Sequence, residues 1–202
     1  TIGMAMTEKQ GGSDVRQNST RAFPIGLAGP GEAYELVGHK YFVSAPMSDA
    51  FVVLAQTPPG VSCFLVPRWR ADGSKNPIQV QCLKNKMGNA SNASSETELR
   101  GAMGWLVGEE GRGVSAILEM VAMTRFDCMV GSSSQMRQAI AQITHHCHHR
   151  AAFGKKLIDQ PLMQNVLADL VIEQEAATAF SMRLARALDL SDQQEHEKHL
   201  VR

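Results

Sequence analysis

Met6–Asp14 reads MTEKQGGSD. Gly11-Gly12 lets the backbone turn tightly and come close to a ligand, and Ser13 sets a hydroxyl and an N–H beside it. Together they form a cradle suited to a phosphate or the edge of a flavin ring. Taken alone, the same run is also a common turn. A second stretch, Gly38–Ser44, reads GHKYFVS, and by itself Phe42 reads as a core aromatic on a strand. Arg150 by itself reads as a helix-terminal Arg set against the macrodipole. In His145-His146-Cys147-His148-His149, His145 and His149 have the i, i+4 spacing that could suit zinc or copper. No carboxylate or second ligand pair stands nearby, so a solvated helix end is the expectation and no metal site is assigned.

The elements that carry these residues change character near Gly111. Before it, short β-branched and aromatic runs are split by Gly, Pro, Asn and Asp. Ala33–Ser44, Ala50–Gln56, Val61–Pro67 and Pro77–Leu83 are expected strands, with Glu96–Leu99 and Trp105–Val107 as a last pair. Thr57-Pro58-Pro59-Gly60 is a turn. Such a series predicts an antiparallel barrel or sandwich. After Gly111-Arg112-Gly113, apolar residues recur at helical spacing: Val114, Ile117, Leu118, Val121, Cys128, Met136, Ala139 and Ile143. A break is expected at Gly154, and Pro161 suits the start of a second helix. That helix carries Met163, Val166, Leu170, Ala177, Phe180 and Leu184. The fold class is therefore α+β: a β domain over 1–110, then two long helices of an incomplete bundle over 111–202, whose stripes need further cover.

The 202 residues suffice for one ordinary domain or a little more. Twenty basic and twenty acidic residues give no general pull toward nucleic acid or anionic membrane. No apolar run approaches a bilayer span and no leader opens the chain. Four scattered cysteines without a CxxC pair fit reduced thiols. A cytoplasmic location is expected, or the mitochondrial matrix in a eukaryote. The start at Thr1 and the charged stretch at His196–Arg202 read as cut ends of a longer chain.

In order along the chain, T-E-x-x-x-G-S-D at Thr7–Asp14 and G-x-K-x-aromatic-aliphatic-Ser at Gly38–Ser44 resemble the middle domain of the acyl-CoA dehydrogenase family. Cys63–Pro67 (CFLVP), Lys86-Met87-Gly88, Gly108–Gly113 (GEEGRG), Arg150–Gly154 (RAAFG), Leu162-Met163-Gln164 and Leu167-Ala168-Asp169 continue the resemblance over essentially the whole chain. MTEKQGGSDV, VGHKYFVSAPMSDA, the NASNAS stretch and MTRFD at Met123–Asp127 are similar to the adaptive-response, AidB-like branch, flavoproteins induced by DNA alkylation.

The resemblance implies FAD as cofactor, with Met4, Met6, Thr7, Gly12, Ser13, Phe42, Val43 and Ser44 around it. Met6 and Thr7 would meet the pyrimidine end. Phe42 would lie flat on a ring face, where the family usually has Trp. Ser44, on a Thr position, would hydrogen-bond near the reactive nitrogen. Ser13 and Arg125 would lie on the acyl-CoA side. Arg150 and Phe153 resemble residues that reach the FAD of a neighbouring subunit, which implies a homo-oligomer, a dimer or tetramer. The implied chemistry is α,β-dehydrogenation of an acyl-CoA thioester with hydride passing to flavin N5, which needs a carboxylate base. No catalytic residue is assigned: Thr124 stands at one family position for that Glu, Glu119 is a poor substitute, and the other position lies beyond Arg202. Ala90 replaces a common Arg, and Pro161 falls on a usual Gln. The alternative is an adaptive-response flavoprotein that binds or shields duplex DNA, with weak dehydrogenase activity.

Overall fold

The structure is a computed structural model that describes residues 1–201. Two compact units emerge, Thr1–Glu119 and a second from Met120 onward.

In the first unit, β1 (Ile2–Ala5), β2 (Arg21–Pro24), β3 (Ala33–Ser44), β4 (Ala50–Thr57), β5 (Gly60–Pro67), β6 (Ile78–Leu83) and β7 (Ser94–Val107) form one sheet. The hydrogen-bonded order runs β1-β4-β2-β3-β7-β5, with β6 also on β7. Because β5 pairs with β4 along its length, the sheet curls into a barrel-like closure. Two pairings, β1 and β2 with β4, are parallel, a correction to the all-antiparallel expectation. Glu96–Leu99 and Trp105–Val107 belong to one strand rather than a pair, because an extra residue at Gly101, with φ +79°, is absorbed as a bulge opposite Leu36/Val37. The barrel interior is filled by Tyr34, Leu36, Val43, Phe51, Val53, Phe64 and Val66, among others.

The outer face of β4 and β5 carries a second cluster, Leu54, Val61 and Cys63, capped by Ile117 from α1 (Gly113–His149). The helix can start here only because residue 113 is Gly: a Cβ would stand 2.4 Å from the Ser62 carbonyl carbon. Burial pushes the Cys63 thiol up to about 11.

In the second unit α1 continues, followed by a hairpin of β8 (Ala151–Ala152) and β9 (Lys155–Lys156), then α2 (Pro161–Leu190) and α3 (Glu195–Leu200). Pro161 occupies the first turn of α2 as expected. As expected of two helices of an incomplete bundle, parts of the apolar stripes read from sequence stay uncovered. Leu118, Cys128, Ala139 and Ile143 are exposed on α1, as are Val166, Leu170 and Phe180 on α2. Leu167, Gln174, Ser181 and Ala187 are buried. The two helices meet through small and polar groups: Thr178 Oγ1 accepts from Gln174 Nε2 at 2.6 Å and lies 3.2 Å from Ser133 Oγ. No described helix is long and apolar enough to cross a membrane.

Candidate functional site

The two glycine- and aromatic-bearing motifs are brought together in the first unit. The loop after β1 runs antiparallel to the end of β3, with Thr7 paired to Phe42 and the Tyr41 N–H donating to the Thr7 carbonyl at 2.9 Å. Directly paired antiparallel residues project to the same face, so Thr7 and Phe42 are neighbours. Gly11, at φ +108°, closes a turn onto the Glu8 carbonyl at 2.9 Å and sends the chain back over Thr7. A Cβ on Gly12 would stand 2.9 Å from Thr7 Oγ1, so as Gly the loop passes close over the Thr7 side chain without displacing it. Ser13 follows, exposed.

A bulge decides what β3 shows outward. Lys40 pairs with Thr97 and Val43 with Ser95, so β3 holds one residue more than β7 over that interval. Lys40 and Val43 therefore both point inward, and Tyr41 and Phe42 both lie outside, with ring centroids 6.5 Å apart. Phe42 is 40% exposed, not the core aromatic that strand chemistry alone suggests. Ser44 lies outside on the same strand, its Oγ 3.4 Å from Ser94 Oγ. Val43, 2% exposed, is a core residue, so only its main chain is available to a ligand. Met4 and Met6, both half-buried, pack their side chains against the Leu54–Ile117 cluster. The Met6 carbonyl is already taken by Asn18 Nδ2 at 2.8 Å.

Behind this face lies a buried ion pair that sequence reading leaves without a role. Lys40 Nζ lies 2.8 Å from Glu8 Oε1 and 2.7 Å from the Leu54 carbonyl. Glu8 also accepts from Ser19 N at 2.6 Å, Ser19 Oγ at 2.8 Å and Thr20 N at 3.1 Å. Burial alone would raise the Glu8 carboxyl, but the Lys40 charge and these donors outweigh it and hold its pKa at about 2. The pair ties the loop after Thr7 to β3 and β4. Gly38, the first residue of the second motif, permits it, since a Cβ there would stand 2.6 Å from the Thr20 Cα.

Beside Phe42, the Lys84 ammonium sits over the Tyr41 ring, 5.3 Å from the Phe42 centroid, and pairs with Glu96 at 2.7 Å. Glu96 also faces His39 Nε2 at 3.3 Å. The surface thus offers one exposed aromatic plane, two hydroxyls and a close-approaching glycine loop. That set suits a flat ligand with a polar edge.

Residues 3–102 match the family model described as the middle domain of acyl-CoA dehydrogenase, and residues 111–201 match that for its C-terminal domain. The chain belongs to the acyl-CoA dehydrogenase family. Among its relatives, AidB of Escherichia coli (strain K12) is 53% identical over 188 residues, which cover 93% of this chain and 34% of that protein. This identity supports the AidB-like branch expected from sequence. Caenorhabditis elegans ACDH-11, crystallised in complex with C11-CoA, superposes with a TM-score of 0.88 at 32% identity, over 100% of this chain and 36% of that one. A Bacillus anthracis acyl-CoA dehydrogenase complexed with FAD has a TM-score of 0.77 at 23% identity, over 96% of this chain and 33% of that one, and shares the fold. This acyl-CoA dehydrogenase-family chain spans about a third of the length of these relatives.

The remaining sequence-derived residues of this family member lie in its second unit. Arg150 directly follows α1, its N–H donating to the His146 carbonyl at 2.8 Å. Phe153 and Gly154, with φ +53° and +77°, form the tip of the β8–β9 hairpin, and Phe153 is 99% exposed. Arg125 lines an apolar groove with Phe126, Met129, Leu184, Leu188 and Leu200. Thr124 donates its hydroxyl to the Val121 carbonyl at 2.8 Å. The His145 and His149 rings lie 4.3 Å apart, and His149 Nδ1 is 2.8 Å from the His145 carbonyl. Among the described residues no cluster of three metal-ligating side chains occurs.

Proposed function

We propose that this chain forms the flavin-facing part of an FAD-dependent oxidoreductase of the acyl-CoA dehydrogenase type. The reaction would remove hydrogen from the α and β carbons of an acyl-CoA thioester. One observation carries the reading. The Thr7–Phe42 pairing sets a hydroxyl, an exposed aromatic plane and the Gly12 loop on one surface, with Ser44 on the same strand. Bound FAD would supply the hydride acceptor.

In this reading Phe42 stacks on the ring, and the Thr7 and Ser44 hydroxyls bond its polar edge. Gly12 gives the clearance, and Ser13 serves phosphate or the thioester end. Met4, Met6 and Val43 contribute through their main chain. Arg125 lies on the substrate side, and Arg150 and Phe153 reach the FAD of a second copy in a homo-oligomer. No residue of this chain is assigned as the catalytic base. An acyl-CoA substrate is supported by the likeness to ACDH-11, which is seen with C11-CoA.

A protein carrying this chain at the length of its relatives is expected to be yellow with FAD, and a short branched acyl-CoA added without oxygen is expected to bleach the flavin band; the 202-residue chain alone is expected to retain little or no FAD. Phe42→Ala is expected to weaken flavin binding roughly tenfold, the low end of what aromatic stacking contributes. A folded protein of its relatives' length that takes up no flavin refutes the reading. A yellow protein inert to acyl-CoA, yet retained on duplex DNA in a salt-dependent manner, replaces it with the DNA-binding alternative.

A further inference from the structure

Behind the Ser44 hydroxyl stands a short chain of donors that ends on a lysine. Ser44 and Ser94 are directly paired across β3 and β7, with their Oγ atoms 3.4 Å apart. Ser94 is 2% exposed. Lys86, half-buried in the segment between β6 and β7, places its Nζ 3.1 Å from Ser94 Oγ and also donates to the Asn92 carbonyl.

The chemistry of these groups gives the chain a direction. An ammonium has protons to give and no lone pair to receive one, so the Ser94 oxygen must accept from Lys86. The single Ser94 proton is then free for the Ser44 oxygen. Ser44, accepting from behind, keeps its own proton for the exposed side. A hydroxyl that could otherwise act either way is thereby set as an outward donor, and the positive charge at the far end polarises it in the same sense. Lys84 does not compete for this role, because Glu96 pairs with it at 2.7 Å. Among the described residues, Lys86 has no carboxylate within ion-pair distance.

We infer that Lys86 is a positioning residue which, through Ser94, fixes the Ser44 hydroxyl as a donor to the bound flavin ring and so favours its reduced form. The inference rests on the flavin reading above. A ring that gains electron density on reduction is held more tightly by a donor that is already aimed.

The test is the two-electron midpoint potential of the FAD-loaded protein, measured by spectroelectrochemical titration. Lys86→Met is expected to weaken binding of reduced relative to oxidised flavin about tenfold, a fall of about 30 mV. Lys86→Arg is expected to restore most of it, and Ser94→Ala to reproduce the fall without touching the lysine. In a Ser44→Ala background, Lys86→Met should produce no further change.

A Lys86→Met protein that keeps both its flavin and the wild-type potential overturns the inference and leaves the flavin reading intact. An equal fall with and without Ser44 overturns it too, since the charge would then act through space. Wild-type protein of its relatives' length that binds no flavin defeats both. Should Lys86→Met fail to fold, the Ser94→Ala potential decides: unchanged, it overturns the relay.

Discussion

The Lys40 ammonium lies 2.8 Å from the Glu8 carboxylate, and both side chains are shut away from water. Removing one partner leaves the other charge buried and unpaired, which costs about 3–5 kcal/mol in comparable cases. Lys40→Met is therefore expected to destabilise the protein by about that amount in urea unfolding. The double variant Glu8→Gln/Lys40→Met is expected to recover part of the loss, because no uncompensated charge remains. A double variant that loses the sum of the two single effects would show that the groups do not act as a pair.

The same pair sets an acid limit. The Glu8 carboxyl is depressed from 4.5 to about 2 in the folded chain, so its contribution is fully present above its unfolded value. It is lost as the pH falls from 4.5 toward 2. The shift corresponds to stabilisation on the order of 3 kcal/mol at neutral pH. The net effect of the pair is smaller, since burial holds the Lys40 ammonium below the ordinary lysine range despite Glu8. Wild type should exceed Glu8→Gln in stability at pH 7, and the gap should close between pH 4.5 and 2. A gap that stays constant across that window would dissociate the stability from this carboxylate.

How far the sequence announces these features depends on the range of the interactions. β3 is legible to the residue, because Ala33–Ser44 carries its own alternation and lies between turn formers. β1 and β2 are not: each has only four residues, β1 held in parallel against the distant β4, and β2 antiparallel against β3 with a single parallel contact to β4 at Arg21. Phe42 and Thr7 are legible as motif residues, but the bulge that turns Tyr41 and Phe42 outward together depends on register against β7. Glu8 and Lys40 stand inside the two motifs, yet 32 residues apart, and nothing local marks them as partners. In the helices, much of the apolar stripes stays uncovered, as is expected of two helices of an incomplete bundle. Across the seam Ser133 of α1 meets Thr178 of α2, whose hydroxyl also accepts from Gln174 one turn earlier on the same helix. The β8–β9 hairpin is too short to signal more than the break at Gly154.

Two glycines in the motifs should respond differently to a methyl group. At Gly38 a Cβ would meet the Thr20 backbone at 2.6 Å, and Thr20 cannot retreat without withdrawing its N–H from Glu8. Gly38→Ala is expected to cost about 1–3 kcal/mol as overpacking, with little relief from Thr20→Ala, because the clash with the main chain of residue 20 persists. At Gly12 the nearest atom is the tip of the Thr7 side chain, which can rotate. Gly12→Ala should therefore leave the unfolding midpoint nearly unchanged while weakening flavin uptake. Equal losses of stability at the two positions would contradict this distinction.

Phe153 bears a left-handed backbone, φ +53°, at the tip of a hairpin where its ring is 99% exposed. A bulky residue in that region is strained by roughly 1–2 kcal/mol, and hairpin tips with two left-handed residues favour Asn-Gly. The ring touches too little of its own chain to offset that strain. Phe153→Asn is thus expected to raise stability by about 1 kcal/mol, since Gly154 already completes the preferred pair. If the ring is held there to meet the flavin of a second copy, the same substitution should lower FAD retention in the oligomer. Thermal unfolding and the ratio of flavin to protein absorbance, measured on one preparation, read both effects. A more stable variant with undiminished flavin would remove Phe153 from the site. A less stable one would mean that the exposed ring supports the hairpin itself.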